Sequence, residues 1–147
     1  MSAFPLQPLL DLAQTRMDDA ARRLGELIAM ETEGQRKLEM LQAYRDEYHQ
    51  RFVQAVSNGI GPDAWRNYSA FLARIDDAIA AQRSAVEQSR QRTAQGQQVW
   101  LAQRNKVKAI DTLSQRHKAA DQRLENKREQ RLLDEHSARL FSRKHGE

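Results

Sequence analysis

The sequence predicts an all-α fold, a long antiparallel two-helix coiled-coil hairpin in which helix 2 is longer than helix 1. Three observations predict it: a seven-residue pattern runs unbroken from Leu10 to Ala55, one strong break follows it, and the same period then resumes. In the first stretch, alternating steps of three and four residues land on Leu10, Ala13, Met17, Ala20, Leu24, Leu27, Glu31, Gly34, Leu38, Leu41, Arg45, Tyr48, Phe52 and Ala55. Eleven of these fourteen positions are apolar. A repeat of 3.5 residues slightly under-winds an α-helix, so that one apolar seam keeps facing a partner helix. Function is therefore expected on the outside of a rod and not in a pocket.

The 147 residues predict a single coiled-coil domain, 1–147. Apolar residues make up 39% and charged residues 30%, too polar for a compact core but suited to two helices sharing one seam. Cysteine is absent, which excludes disulfides and cysteine-based metal sites. No apolar run approaches the ~20 residues needed to span a bilayer. The first twelve residues have no basic segment and already contain Asp11, so neither a secretory signal nor direct membrane insertion is expected. The net charge of +4 is uneven: residues 90–145 hold fourteen Lys/Arg against six Asp/Glu, whereas residues 1–60 hold seven against nine. The last third is a basic arm, which attracts acidic partners.

Helix 1 is expected at about 6–56, because proline is tolerated in a first turn, where its missing amide has no intrahelical partner. Residues 57–62, Ser57-Asn58-Gly59-Ile60-Gly61-Pro62, form the turn: Asn and Gly accept left-handed backbone angles, and Pro62 suits a helix start. Helix 2 follows at about 63–141 through Trp65, Tyr68, Leu72, Ile75, Ile79, Val86, Trp100, Val107 and Ile110. Past Ile110 the pattern slips toward Leu113, His117, Ala120 and Leu124, and residues 142–147 are expected to fray. A short connection makes the helices antiparallel neighbours, with residue i facing roughly residue 118 − i. About thirty residues after about 108 then have no helix 1 opposite them, and this overhang coincides with the basic arm.

At mid-hairpin both helices are weak together. Glu31 and Gly34 face the seam residues Gln82, Ser89 and Thr93, and Glu31 lies within reach of Arg83 or Arg90. A polar layer of this kind fixes register; the alternative is a soft segment that bends under load.

No catalytic, cofactor-binding or metal-binding constellation is visible. His49, His117, His136 and His145 are isolated and lack a ligand spacing. The neighbours Asp18-Asp19 and Asp76-Asp77 point to different helix faces, and Gly59-Ile60-Gly61 reads as a turn. The basic arm intersperses Asp121, Glu125, Glu129, Asp134 and Glu135 at helical spacing and lacks aromatics that could stack bases, so nucleic acid is not an expected partner. The region near the turn is richer. Tyr44, Tyr48 and Phe52 approach Trp65, Tyr68, Phe71 and Leu72, more aromatics than one seam can bury. Leu41, Tyr44, Phe71 and Ile75 form an apolar patch with an exposed margin, a feature of docking sites.

These residues also carry a family resemblance. Asp18-Asp19-Ala20-Ala21-Arg22-Arg23-Leu24-Gly25-Glu26, Tyr44-Arg45-Asp46-Glu47-Tyr48, and Asn58-Gly59-Ile60 followed by Trp65-Arg66-Asn67-Tyr68 and Phe71 resemble the flagellar export proteins of the FliJ family. The resemblance covers nearly the whole chain; the Pro5/Pro8 start departs from it, and the C-terminal tail matches in character only. It implies a non-enzymatic coiled coil similar to the central stalk of rotary ATP synthases. Such a protein serves the flagellar type III export apparatus, and through it motility, from the cytoplasmic face of the inner membrane. The implied partners are the export ATPase FliI, the export gate FlhA and the flagellar export chaperones, with FliH as a further candidate; no cofactor is implied. The gate-binding residues carry over to Leu41, Tyr44, Tyr48, Phe71, Ile75, Ala78 and Gln82. The ATPase-facing end would use Leu9, Ala13, Met17 and Arg23, together with Arg116, Arg123 and Arg128 of the overhang. A stalk is expected to be a monomer in isolation. The alternative is a homo-oligomeric coiled-coil scaffold or general cytoplasmic chaperone, which would sediment as an obligate oligomer.

Overall fold

The computed structural model describes residues 6–145. Two helices account for nearly all of them: α1, Leu6–Asn58, and α2, Pro62–His145. Helix α2 is the longer, as expected, and it extends past the expected end: residues 142–145 are helical rather than frayed, and residues 146–147 lie outside the described part. Its last turn carries Arg143 and Lys144, cations that complement the negative end of the helix dipole.

The turn forms for the reasons its sequence suggests. Gly59 has φ 85°, a left-handed conformation that costs a residue with a Cβ about 1–2 kcal/mol. Its N–H donates to the carbonyl of Val56 at 3.1 Å, closing α1. Gly61 then accepts from the N–H of Trp65 at 3.1 Å, which makes Pro62 the first helical residue of α2.

The contacts group the described residues into two compact units: Asp18–Leu101, and the described part of Met1–Met17 with Ala102–Glu147. In Asp18–Leu101 the helices run antiparallel through the turn. All heptad positions of α1 from Leu10 to Ala55, across both units, are buried or partly buried. The core of the first unit gathers Leu38, Ile75, Ile79 and Val86, with Leu41, Tyr48 and Phe71 packed against it. Buried apolar surface contributes roughly 25 cal/mol per Å², so this cluster is the main source of stability in the unit.

The polar layer is present, held by bonds other than the expected ones. Gln82 Nε2 donates to the carbonyl of Gly34 at 2.9 Å. The Thr93 hydroxyl lies 3.0 Å from the carbonyl of Ser89 and 3.4 Å from that of Leu27. The expected pair between Glu31 and Arg83 or Arg90 does not form. Arg90 instead approaches Glu87 on its own helix at 3.9 Å, because a partner one turn away needs no bridging across the interface. Register is fixed by side chains bonded to the opposite backbone, which reward only one axial alignment.

The two seam glycines differ. A Cβ on Gly34 would meet Val86 Cγ2 at 3.6 Å and Gln82 Nε2 at 3.7 Å, ordinary contact. One on Gly96 would fall 2.6 Å from Leu27 Cδ1, and Leu27 is itself buried. Gly34→Ala is therefore expected to stabilise the chain by about 0.5–1 kcal/mol through helix propensity alone. Gly96→Ala should fall below Gly34→Ala by about 1–3 kcal/mol, since Leu27 must be displaced. Urea unfolding of the two variants checks this, and equal midpoints would contradict it.

In the unit holding Ala102–Glu147, the register does not slip after Ile110. Ser114 is buried and His117 and Asp121 are partly buried, continuing the three-four alternation, while Leu113 and Leu124 are exposed. Covering the seam outweighs the apolarity of single leucines, because two helices wound together keep one face in contact. His117 Nε2 lies 3.5 Å from Asp121 Oδ2. The exposed stretch starts at Gln122, not near 108, and every described residue from there on is exposed.

Candidate functional site

The aromatic end of Asp18–Leu101 is built by continuing the seam toward the turn with large residues. Tyr48 packs against Phe71 at 4.7 Å and Tyr68 at 5.4 Å between ring centroids, and Phe52 against Trp65 at 4.9 Å and Tyr68 at 5.5 Å. Tyr44 meets Phe71 edge-on at 6.5 Å. Burial holds the Tyr48 hydroxyl above its ordinary pKa of 10.0, with Tyr68 and Tyr44 adding to the effect.

One rim of this cluster is pinned by an ion pair. Arg45, a charged residue in the apolar seam, donates from Nε to Asp76 Oδ1 at 2.7 Å across the helices. The hydrogen bond and charge of Asp76 raise the Arg45 pKa above its ordinary value. The sequence signal for this pair was the interruption of the apolar pattern at Arg45, opposite Asp76 in an antiparallel register.

The seven residues carried over as a gate-binding patch fall into two groups. Tyr44 is 46% exposed and Ala78 is exposed; Leu41, Tyr48 and Phe71 are partly buried. Ile75, only 6% exposed, is core and supports the patch from beneath. Gln82 is engaged in the bond to Gly34. An open apolar groove of about 400 Å³ is lined by Lys37, Met40, Leu41, Tyr44 and Gln82. Met40 and Lys37 were not among the sequence candidates. Met40 is 65% exposed, and its signal is an apolar side chain outside the heptad seam.

The other candidate residues do not form one cluster. Leu9, Ala13, Met17, Arg116, Arg123 and Arg128 belong to one unit and Arg23 to the other. Leu9 is exposed, Met17 partly buried, and Ala13 buried in the seam, so Ala13 sets helix spacing and offers no surface. Arg116, Arg123 and Arg128 are exposed, with Arg128 3.9 Å from Glu125. Arg23 lies 3.3 Å from Glu26, an exposed intrahelical pair of little energetic consequence.

Among the described residues there is no group of three or more His, Asp or Glu placed to hold a metal, and no helix long and apolar enough to cross a membrane.

Known proteins resemble this chain in sequence. The family model described as flagellar FliJ protein matches residues 1–146. A flagellar FliJ protein of Salmonella typhi is 33% identical over 139 residues, covering 95% of each chain. One from Escherichia coli strain K12 is 32% identical over the same length, again with 95% of each covered. By sequence similarity along nearly its whole length, the chain belongs to the flagellar FliJ protein family.

Proposed function

We propose that the chain is a non-enzymatic, stalk-like component of the flagellar type III export apparatus. In this reading it binds the FliI export ATPase ring through the exposed basic end of α2 and the first turns of α1. It engages the FlhA export gate through the aromatic surface around Tyr44. By linking the two it promotes ring assembly and the delivery of export chaperones and their cargo, with FliH a further partner. It works from the cytoplasmic face of the membrane, as a monomer when isolated, and ATP hydrolysis remains with the ring.

The observation that carries this reading is the family match along residues 1–146. The geometry supports it. From Gln122 onward α2 is exposed on all sides and carries seven Lys/Arg against four Asp/Glu, suited to an acidic partner surface. Within Asp18–Leu101, the apolar groove beside Tyr44 offers a surface of different chemistry.

Copurification with FliI and with the cytoplasmic domain of FlhA tests the proposal. Reversing the charge of Arg116, Arg123 and Arg128 together should weaken FliI association about tenfold or more at low salt, with the difference shrinking as screening increases. FlhA binding should be unchanged. A wild-type chain that neither retains FliI nor alters its oligomerisation would refute the reading.

A further inference from the structure

The coiled coil of Asp18–Leu101 has two flanks of different chemistry. On one, Arg45 pairs with Asp76, and the open hollows are lined by Glu31, Gln35 and Arg90, and by Gln42, Asp76 and Arg83. That flank is polar and carries both signs of charge.

The other flank begins where Tyr44 meets Phe71. Steps of seven lead back along α1 from Tyr44 through Lys37 and Met30 to Arg23. On α2 they lead from Phe71 through Ala78, Ala85 and Arg92 to Val99. A seven-residue step keeps a side chain on one side of a supercoil, and the structure agrees: Arg23, Arg92 and Val99 line one notch of about 250 Å³. Its wall and floor are Leu27 and Gly96. The missing Cβ of Gly96 lets Leu27 lie against α2, and the notch these residues line includes the guanidinium-bearing Arg23 and Arg92.

Three properties of this flank define its occupant. It is apolar where it is open: Met30 is 51% exposed and Val99 54%. It is shallow, because Ala78 and Ala85 let another backbone approach closely. Its charges have one sign: Arg23, Lys37 and Arg92 are cations, and no carboxylate occupies the series. Among the described residues Lys37 and Arg92 make no ion pair, and Arg23 makes only the exposed one with Glu26. Exposed apolar side chains ordered along a groove fit a third helix, and the cations at its edge, Lys37 and Arg92 without an ion-pair partner among the described residues and Arg23 in an exposed pair, fit carboxylates.

We propose that this flank seats an acidic amphipathic helix of a partner protein. One apolar side chain of that helix sits over Gly96, and its carboxylates lie on Arg92 and Arg23. From Arg23 to Lys37 the track spans fourteen residues of α1, about 21 Å at 1.5 Å per residue, so it takes roughly four turns of the incoming helix. At its Lys37 and Ala78 end the track adjoins the proposed gate surface, whereas Met30, Arg23, Ala85, Arg92 and Val99 lie outside it.

Photo-crosslinking in flagellated cells tests it, with benzoylphenylalanine placed in the full chain at Val99 or Ala85, and at Gln97 on the opposite flank as control. The captured peptide is sequenced by mass spectrometry. Val99 and Ala85 should capture an acidic, helix-patterned segment of another protein, and Gln97 should not. Arg92→Glu should cut the Val99 adduct about tenfold through like-charge repulsion, while Arg83→Glu leaves it within about twofold. Circular dichroism confirms that both variants stay helical. A peptide from a second copy of this chain, a basic or non-helical peptide, no adduct above the Gln97 level, or insensitivity to Arg92→Glu would each overturn the proposal. Tyr44→Ala, which alters the aromatic end, should leave the Val99 adduct in place.

Discussion

Replacing Ile75 with alanine is expected to lower the stability of the chain by about 2–5 kcal/mol, the range for deleting a large aliphatic side chain from a packed core. Ile75 is 6% exposed among Leu38, Ile79 and Val86. Two helices cannot close around the vacated space as a globular core can, because each seam layer is held by only its few neighbours. A typical domain has about 5–15 kcal/mol in total, so the variant would sit near the edge of folding. Ile75→Val, which removes one methylene, should cost about 0.5–1.5 kcal/mol. Urea unfolding followed by far-UV circular dichroism gives both values. A loss below about 1 kcal/mol for Ile75→Ala would mean that the layer repacks and that this core assignment is wrong. The result bears on function, since weakened gate binding by Ile75→Ala would report unfolding before it reported a lost contact.

Tyr44→Ala is the cleaner probe of the proposed gate surface. Tyr44 is 46% exposed, and its contacts within the chain are edge-on or tilted ring pairs at 6.4 and 6.5 Å. Such pairs contribute about 0.5–1.5 kcal/mol, so the variant should stay folded. Exposed aromatics beside an apolar groove are the residues most often found to dominate binding, with losses of about 2 kcal/mol or more on truncation. The expected result is roughly thirtyfold weaker association with the FlhA cytoplasmic domain in titration calorimetry. Helicity should be native, FliI binding unaffected and motility reduced. Unchanged gate affinity in a fully helical Tyr44→Ala chain would remove this surface from the proposal.

The two variants show how far the sequence could be read. The seam was legible because a heptad pattern is a local property: Leu38, Tyr48 and Phe52 declare their face by spacing alone. The turn was legible at Asn58-Gly59 and Gly61-Pro62, where few residue types fit. Candidate site residues were less so. Spacing puts Ile75 in the seam, while the crowding of large residues and the family likeness both put it in a surface patch; only its burial separates the two. Met40 went unnoticed because a single off-seam apolar residue carries no periodicity. The apolar residues Leu113 and Leu124 suggest a slip after Ile110, but buried Ser114 shows that register outweighs the apolarity of single side chains.

The sequence by itself determined two long helices, their order, the turn between them and the excess of positive charge near the end of α2. These follow from periodicity, backbone preferences and composition, none of which needs a distant partner. The tertiary structure decided which of several possible polar bonds fixes the alignment, where the exposed part of α2 begins, and which flank of the coiled coil is apolar. Each of these depends on the axial offset of one helix against the other. A heptad pattern is nearly unchanged by a shift of seven residues, whereas a bond such as Gln82 to the Gly34 carbonyl forms at only one offset.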